Sequence, residues 1–240
     1  MKILWQSKSA KVLQAFYEGY VVDGINGGNA YDVQSALALA KKYNVVIDPQ
    51  TVRKNESVYS YWKRMRSYKA KADLLIMEPY PTVFGNRNNT QKSVAVIHHI
   101  DHVLAKKSLF HRWYFSRLMK KLKKCTAIVT VSEHWRDYFL NKNFKNVFVI
   151  YNSFDPSLYG KMKVDEQTFR MQHNLPADKK IVYIGNAIRE KGVVEVYNAL
   201  KNSNYHLVMT GPRNRVPELK VQYLNLNRQD YLQLLTISSV

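Results

Sequence analysis

The stretch IVYIGNAIREKG, residues 181–192, decides how this chain is read. Ile181, Val182, Tyr183, Ile184 and Gly185 are apolar, β-branched or aromatic and end on glycine, which predicts a short buried strand. A loop with Arg189, Glu190 and Lys191 follows, and GVVEVYNAL over 192–200 returns to helical spacing. A strand, a glycine turn and a helix with cations at its start form a place to hold an anion. Free amides and the positive helix end face the ligand, and a lysine adds full charge. On spacing alone, an ordinary β-α turn with a solvated Arg-Glu-Lys tip fits equally well.

Outward from this stretch, short apolar runs alternate with helical segments. Strands are predicted over 2–6, 44–47, 73–77, 93–97, 127–131 and 147–151, and beyond the central stretch over 205–211 and 221–224. Helices are predicted over 30–42, 57–72, 104–124, from Ser132 onward, and over 227–236. Asn26-Gly27-Gly28-Asn29 is expected to be a loop, because glycine lets backbone approach a ligand or a neighbouring strand. Residues 81–92 are expected to be a second loop, marked by Gly85 and an asparagine-rich run. Strands alternating with helices predict an α/β fold with a parallel sheet.

At 240 residues the chain is long enough for a sizeable core, and 46% hydrophobic residues exclude a disordered chain. Its one cysteine, Cys125, excludes an internal disulfide and fits a reducing compartment. The start MKILWQSKSAK lacks the long apolar run of a secretory signal, and no window approaches the roughly 20 apolar residues of a membrane span. Lys and Arg number 37 against 18 Asp and Glu, a net charge of +19. Such an excess attracts polyanions: nucleic acid, anionic lipid or a phosphorylated substrate.

Two segments carry candidate chemistry. His98-His99-Ile100-Asp101-His102 follows directly on the strand at 93–97, at the end where ligands gather in doubly wound sheets. The cluster reads as a metal site, as histidines that pack or cap, or as ligand-facing groups. Side chains so close along a bending chain converge poorly on one ion. Residues 104–124 form a basic amphipathic segment without an acid. It carries Lys106, Lys107, Arg112, Arg117, Lys120, Lys121, Lys123 and Lys124, with Phe110, Trp113, Tyr114, Leu118 and Leu122 at helical spacing. That pattern suits a helix lying on an anionic membrane, and equally a helix packed on the core with solvated charges. No nucleic-acid-binding motif accompanies it.

The central stretch resembles the start of the second domain of GT-B glycosyltransferases, closest to glycosyltransferase family 4. There a strand, Gly-Arg, a short loop, Glu-Lys-Gly and a helix follow in order. Gly185, Glu190, Lys191 and Gly192 match, and Asn186 stands where the family usually has arginine. TAIVTVSEHWRDYF at 126–139 is similar to the family's VTVSE segment. Asn152-Ser153-Phe154-Asp155 is similar to its NG-x-D crossover, with serine in place of glycine. Gly27-Gly28 resembles the acceptor-side loop after the first strand, placed later than is usual.

The resemblance implies a GT-B fold of two Rossmann-like domains. Residues 1–155 would be the complete acceptor-side domain and 156–240 an incomplete nucleotide-sugar-binding domain. The family's acidic Glu-x7-Glu motif would lie beyond Val240, so the expectation is a C-terminally truncated chain with weak or absent transfer of its own. The implied reaction moves a hexose-type sugar from a nucleotide-diphosphate donor to a lipid-linked or polysaccharide acceptor. It retains anomeric configuration and uses no metal or other cofactor. Gly185, Asn186, Arg189, Glu190 and Lys191 would border the donor, with Lys191 on the diphosphate and Arg189 the nearby candidate for a second cation. Gly27 and Gly28 would border the acceptor and phosphate cleft, and His98 or His99 would face the sugar. The expected setting is cytoplasmic, peripheral on the inner face of the cell membrane. Two other readings remain: a non-catalytic membrane or partner-binding module of the same fold, and a nucleic-acid-binding protein that uses the basic helix.

Overall fold

A computed structural model describes residues 1–7, 27–48, 56–86, 91–100, 108–152, 164–185, 189, 192–210 and 216–239. The chain divides into two compact units, Met1–Ser153 and Phe154–Val240.

The first unit is built on six parallel strands: β1 (Lys2–Gln6), β2 (Asn44–Ile47), β3 (Leu74–Met77), β4 (Lys92–Ile97), β5 (Ala127–Thr130) and β6 (Val147–Val149). Their order across the sheet is β2-β1-β3-β4-β5-β6. Helices cover both faces, so the strands read as continuous apolar runs rather than as alternating ones. Side chains still divide by parity. Ile3, Trp5, Val45, Ile47, Ile76, Val96 and Val129 pack with Tyr31, Val33 and Ala36 of helix α1 (Gly27–Ala40). Ala95, Ile97 and Ile128 pack on the opposite face. There they meet helices α2 (Val58–Ser67), α3 (Pro79–Phe84), α4 (Leu109–Leu122) and α5 (Glu133–Leu140). The helix starts are set by side-chain caps: Ser57 accepts from the Ser60 amide, Ser108 from His111 and Ser132 from Trp135.

Three sequence expectations are corrected here. Gly27 and Gly28 open helix α1 instead of lying in a loop. A glycine in a helix interior costs about 1 kcal/mol. The first turn is less demanding, since its amides need no partner within the helix, and burial of Tyr31, Val33 and Ala36 fixes the segment. The second correction is α3, which occupies part of the loop expected over 81–92. Pro79 begins it and Pro81 lies in its first turn, where a missing N–H is tolerated. The basic helix is also shorter than 104–124, because Ser108 caps it at Leu109.

The second unit carries three parallel strands, β7 (Lys180–Ile184), β8 (Tyr205–Met209) and β9 (Gln222–Tyr223), in that order. Helices α6 (Glu166–Gln172), α7 (Val193–Leu200) and α8 (Arg228–Ile237) accompany them. One face packs Val182, Leu207 and Met209 with Val193, and the other packs Ile181 and Val208 with Phe169 and Leu234. On the free side of β7, Ser238 bridges to Ile181 in parallel, and the Ser239 amide donates to the Ile181 carbonyl at 2.8 Å. Among the described residues, no helix is long and apolar enough to cross a membrane.

Candidate functional site

In the first unit the chain steps from β1 outward to β2, then back across β1 to β3. Such a reversal opens a crevice at the carboxyl ends of the strands on either side of it, and ligands of doubly wound sheets bind there. Gln6 and Ser7 end β1, Asp48 follows β2, Glu78 follows β3 and His98 follows β4. Gln6, Ser7 and Asp48 are buried. Asp48 is held by the Gln6 amide Nε2 at 2.9 Å and by the Tyr68 hydroxyl at 3.1 Å, so it braces the rim. Burial and the neighbouring Asp48 push the Tyr68 phenol up to about 12.

Helix α1 brings a second carboxylate to this edge. Asp32 is buried, with its side chain 2% exposed, and is hydrogen-bonded to the Glu78 side chain. Burial raises its carboxyl to about 6, against the opposing effect of the Glu78 hydrogen bond. Asp32 Oδ1 faces His98 Nε2 at 3.4 Å. That is ion-pair distance without hydrogen-bond geometry, and neither atom has a hydrogen-bond partner among the described residues. The Tyr31 ring meets His98 edge-on at 5.0 Å. Burial pushes the His98 imidazolium pKa down, only partly countered by the Glu78 charge, so the ring is neutral at pH 7.

The structure distinguishes the two adjacent histidines. Successive residues leaving a strand point to opposite sides, so His98 turns inward and His99 is exposed. Asp101 and His102 lie outside the described residues. Among the described residues, no three His, Cys, Asp or Glu side chains are arranged to hold a metal ion.

The basic helix α4 is split in its roles. Tyr114, Leu118 and Leu122 are buried, whereas Phe110 and Trp113 are 43% and 42% exposed. Arg117 Nε donates to the Val83 carbonyl at 3.1 Å, with its guanidinium 5.7 Å from the Trp113 ring. Lys121 Nζ donates to the Gly85 carbonyl at 3.4 Å, and Lys123 lies 5.8 Å from the Phe144 ring. Arg112, Lys120 and Lys124 are exposed to solvent. Lys106 and Lys107 fall outside the described residues. Cys125 is half-buried, with its thiol 3.6 Å from the Lys121 carbonyl.

The second unit has its own reversal. The bridge from Ile181 to Ser238 lies on the side of β7 away from β8, so the crevice falls at the end of β7. Gly185 stands there, and a Cβ on it would come 2.7 Å from the Tyr183 hydroxyl. That hydroxyl is hydrogen-bonded to Thr210 Oγ1 at 2.8 Å. Gly192 caps α7 with φ of 72°, a left-handed conformation that glycine alone adopts without strain. Arg189 pairs with Glu218, and its side chain remains 63% exposed. Asn186, Glu190 and Lys191 lie outside the described residues.

Asp32, Glu78 and Tyr31 were not singled out in the sequence. The available signal was weak: an acid within an apolar helix after Gly-Gly, and a Glu-Pro pair ending a strand.

A doubly wound parallel sheet with its polar crevice at the carboxyl edge, followed by a second α/β unit, defines the GT-B glycosyltransferase fold. The sequence profile of Glycosyltransferase Family 4 matches residues 27–158, more than half of the 240 residues. The chain belongs to glycosyltransferase family 4. Among solved structures it is similar to sucrose-phosphate synthase from Thermosynechococcus elongatus. The TM-score is 0.69 at 15% identity, covering 98% of this chain and 73% of that one. It is also similar to HepE from Anabaena, solved with UDP-glucose, with a TM-score of 0.61 at 16% identity over 99% and 72% of the two chains. At these identities the likeness is one of fold. No curated protein sequence matches the chain.

Proposed function

We propose that this protein transfers a hexose-type sugar from a nucleotide-diphosphate donor to a lipid-linked or polysaccharide acceptor, with retention of anomeric configuration and without a metal or other cofactor. Family membership supports the transferase class, and HepE, a protein of the same fold, holds UDP-glucose. The observation that carries the reading is His98, half-buried in the crevice of the first unit with Asp32 behind it at 3.4 Å.

In the transfer, the bond from the anomeric carbon to the diphosphate breaks and a bond to the acceptor oxygen forms. The acceptor's proton leaves with the diphosphate. The sugar passes through an oxocarbenium-like state, so positive charge develops on the ring and negative charge on the leaving group. His98 faces the sugar as a neutral ring, which avoids setting a cation against the developing positive charge. An ionised Asp32 behind it favours that charge. Lys191 carries the diphosphate, and Gly185, Asn186, Arg189 and Glu190 belong to the same donor-binding stretch. Within it Arg189 is engaged by Glu218. The Gly27 and Gly28 amides at the start of α1 border the acceptor and phosphate cleft. The protein works in the cytoplasm against the anionic inner face of the membrane, with Lys106, Lys107, Arg112, Trp113, Lys120 and Lys124 toward lipid.

Calorimetric titration with UDP, GDP and their sugars tests this reading on the wild type and on Lys191→Ala. The expected result is saturable binding of one nucleotide series, weakened roughly tenfold or more in the variant, since a charge-assisted phosphate contact contributes about 1.5–3 kcal/mol. Wild-type protein that binds neither series overturns the donor assignment and favours a non-catalytic module of the same fold.

A further inference from the structure

Helices α2 and α4 share a feature that the α4 sequence does not reveal. Val58, Tyr59 and Trp62 of α2, Phe84 of α3, and Phe110 and Trp113 of α4 line one open cleft of about 430 Å³. Tyr59 is 68% exposed and Leu109, next to Phe110 at the start of α4, is 81% exposed. Val58, Tyr59 and Phe110 lie in the first turns of their helices, Trp62 and Trp113 follow at the start of the second, and Phe84 ends α3.

The outer faces of both helices continue the pattern. On α4, Phe110, Trp113, Arg117, Lys120 and Lys124 follow at spacings of three and four, which places them along one face. On α2, Tyr59, Trp62, Lys63 and Arg66 do the same. Each face runs from aromatic near the helix start to cationic toward its end. VYSYWKRMRS and LFHRWYFSRLMKKL contain no acid between them. An all-apolar cleft offers no hydrogen bonds to a saccharide, and bare cations repel a basic partner. Tryptophan and tyrosine beside lysine and arginine match the depth profile of a bilayer, with acyl chain below and phosphate above.

We propose that the α2–α4 cleft is the element that enters an anionic bilayer. Trp62, Trp113, Phe110 and Tyr59 settle at the boundary between headgroup and acyl chain, and Lys63, Arg66, Lys120 and Lys124 lie against lipid phosphates. This inference rests on the peripheral-membrane reading above and extends it from one basic helix to a two-helix aromatic device.

The test is sedimentation with vesicles of equimolar phosphatidylglycerol and phosphatidylcholine, against phosphatidylcholine alone, on the wild type, Trp62→Ser/Trp113→Ser and Tyr59→Ser/Leu109→Ser. The second pair is largely exposed, so its folding is unaffected and it guards against loss by misfolding. The expected result is wild-type binding to the anionic vesicles only, weakened roughly tenfold or more in both variants. Tryptophan fluorescence should be quenched by lipid brominated near the top of the acyl chain, and Trp62→Phe/Trp113→Phe should bind but lose that quenching. If the wild type binds and both serine variants bind equally well, the cleft is overturned while the peripheral reading stands. If the wild type ignores anionic vesicles, whether or not it binds single-stranded RNA, both fail.

Discussion

His98 Nε2 lies 3.4 Å from Asp32 Oδ1, and the two side chains arrive from opposite flanks of β1 and β3: Asp32 on the helix after β1, His98 beyond the strand next to β3. The Tyr31 ring meets His98 edge-on at 5.0 Å. Through its neighbour Glu78, Asp32 also joins a second carboxyl group to the pair. A histidine so enclosed has one orientation available, whereas its exposed neighbour has many.

His98→Ala should therefore abolish most sugar transfer, by about 100-fold or more in kcat on the scale of lost transition-state contacts. His99→Ala should stay within about twofold of wild type, as surface substitutions do. Equal losses from the two variants would contradict the inward placement of His98.

The Asp32 carboxyl is raised from 3.8 to about 6 in the folded protein. Between those values the folded state keeps a proton that the unfolded chain has lost. Its contribution to stability is fully present below pH 4 and falls as the pH rises toward 6, by about 3 kcal/mol at most. Asp32→Asn should remove this dependence and stabilise the protein at pH 7.5 by about 1–3 kcal/mol. Urea titrations of both proteins at pH 5 and pH 7.5 measure it. A variant no more stable than wild type at pH 7.5 would refute the buried charge.

Gly185→Ala places a methyl group against the Tyr183 hydroxyl, at 2.7 Å before any adjustment. The expected cost is about 1–3 kcal/mol, typical of overpacking. Tyr183→Phe removes the obstructing oxygen and leaves 3.4 Å to the next ring atom. Gly185→Ala should then cost clearly less in that background. A double-mutant cycle by thermal melting detects the coupling, and strict additivity would place the methyl group elsewhere.

Arg189 and Glu218 form an exposed pair, 63% and 43% accessible. Exposed pairs contribute about 0–1 kcal/mol. Arg189→Ala should leave stability nearly unchanged and donor affinity within about threefold of wild type, unlike Lys191→Ala. If calorimetry gave the two variants equal losses, Arg189 would be the second phosphate cation after all.

Much of this fold is legible in the sequence, for a physical reason. Buried parallel strands such as LLIM and AIVT are uninterrupted apolar runs, and serine caps mark the starts of α2, α4 and α5. Local rules misled where helices begin on unusual residues. Gly27-Gly28 and the stretch from Pro81 onward read as loops, yet Gly27, Gly28 and Pro81 each lie in a first turn, where neither the entropy of glycine nor the missing amide of proline is decisive. The candidate site was half legible. His98 and His99 were visible together, but choosing between them needs the direction in which the chain leaves β4. Asp32 was invisible as a partner of His98 because 66 residues separate them and only the sheet order brings them together.

Helix α3 is a strut between two working surfaces. Its six residues span about 9 Å. Glu78, hydrogen-bonded to Asp32, stands immediately before it. At the far end the carbonyls of Val83 and Gly85 are held by Arg117 and Lys121 of α4. Side chains on the cationic helix thus grip one end of a short rod whose other end adjoins the carboxyl pair behind His98. A force on α4 has little slack backbone in which to dissipate before it reaches the crevice.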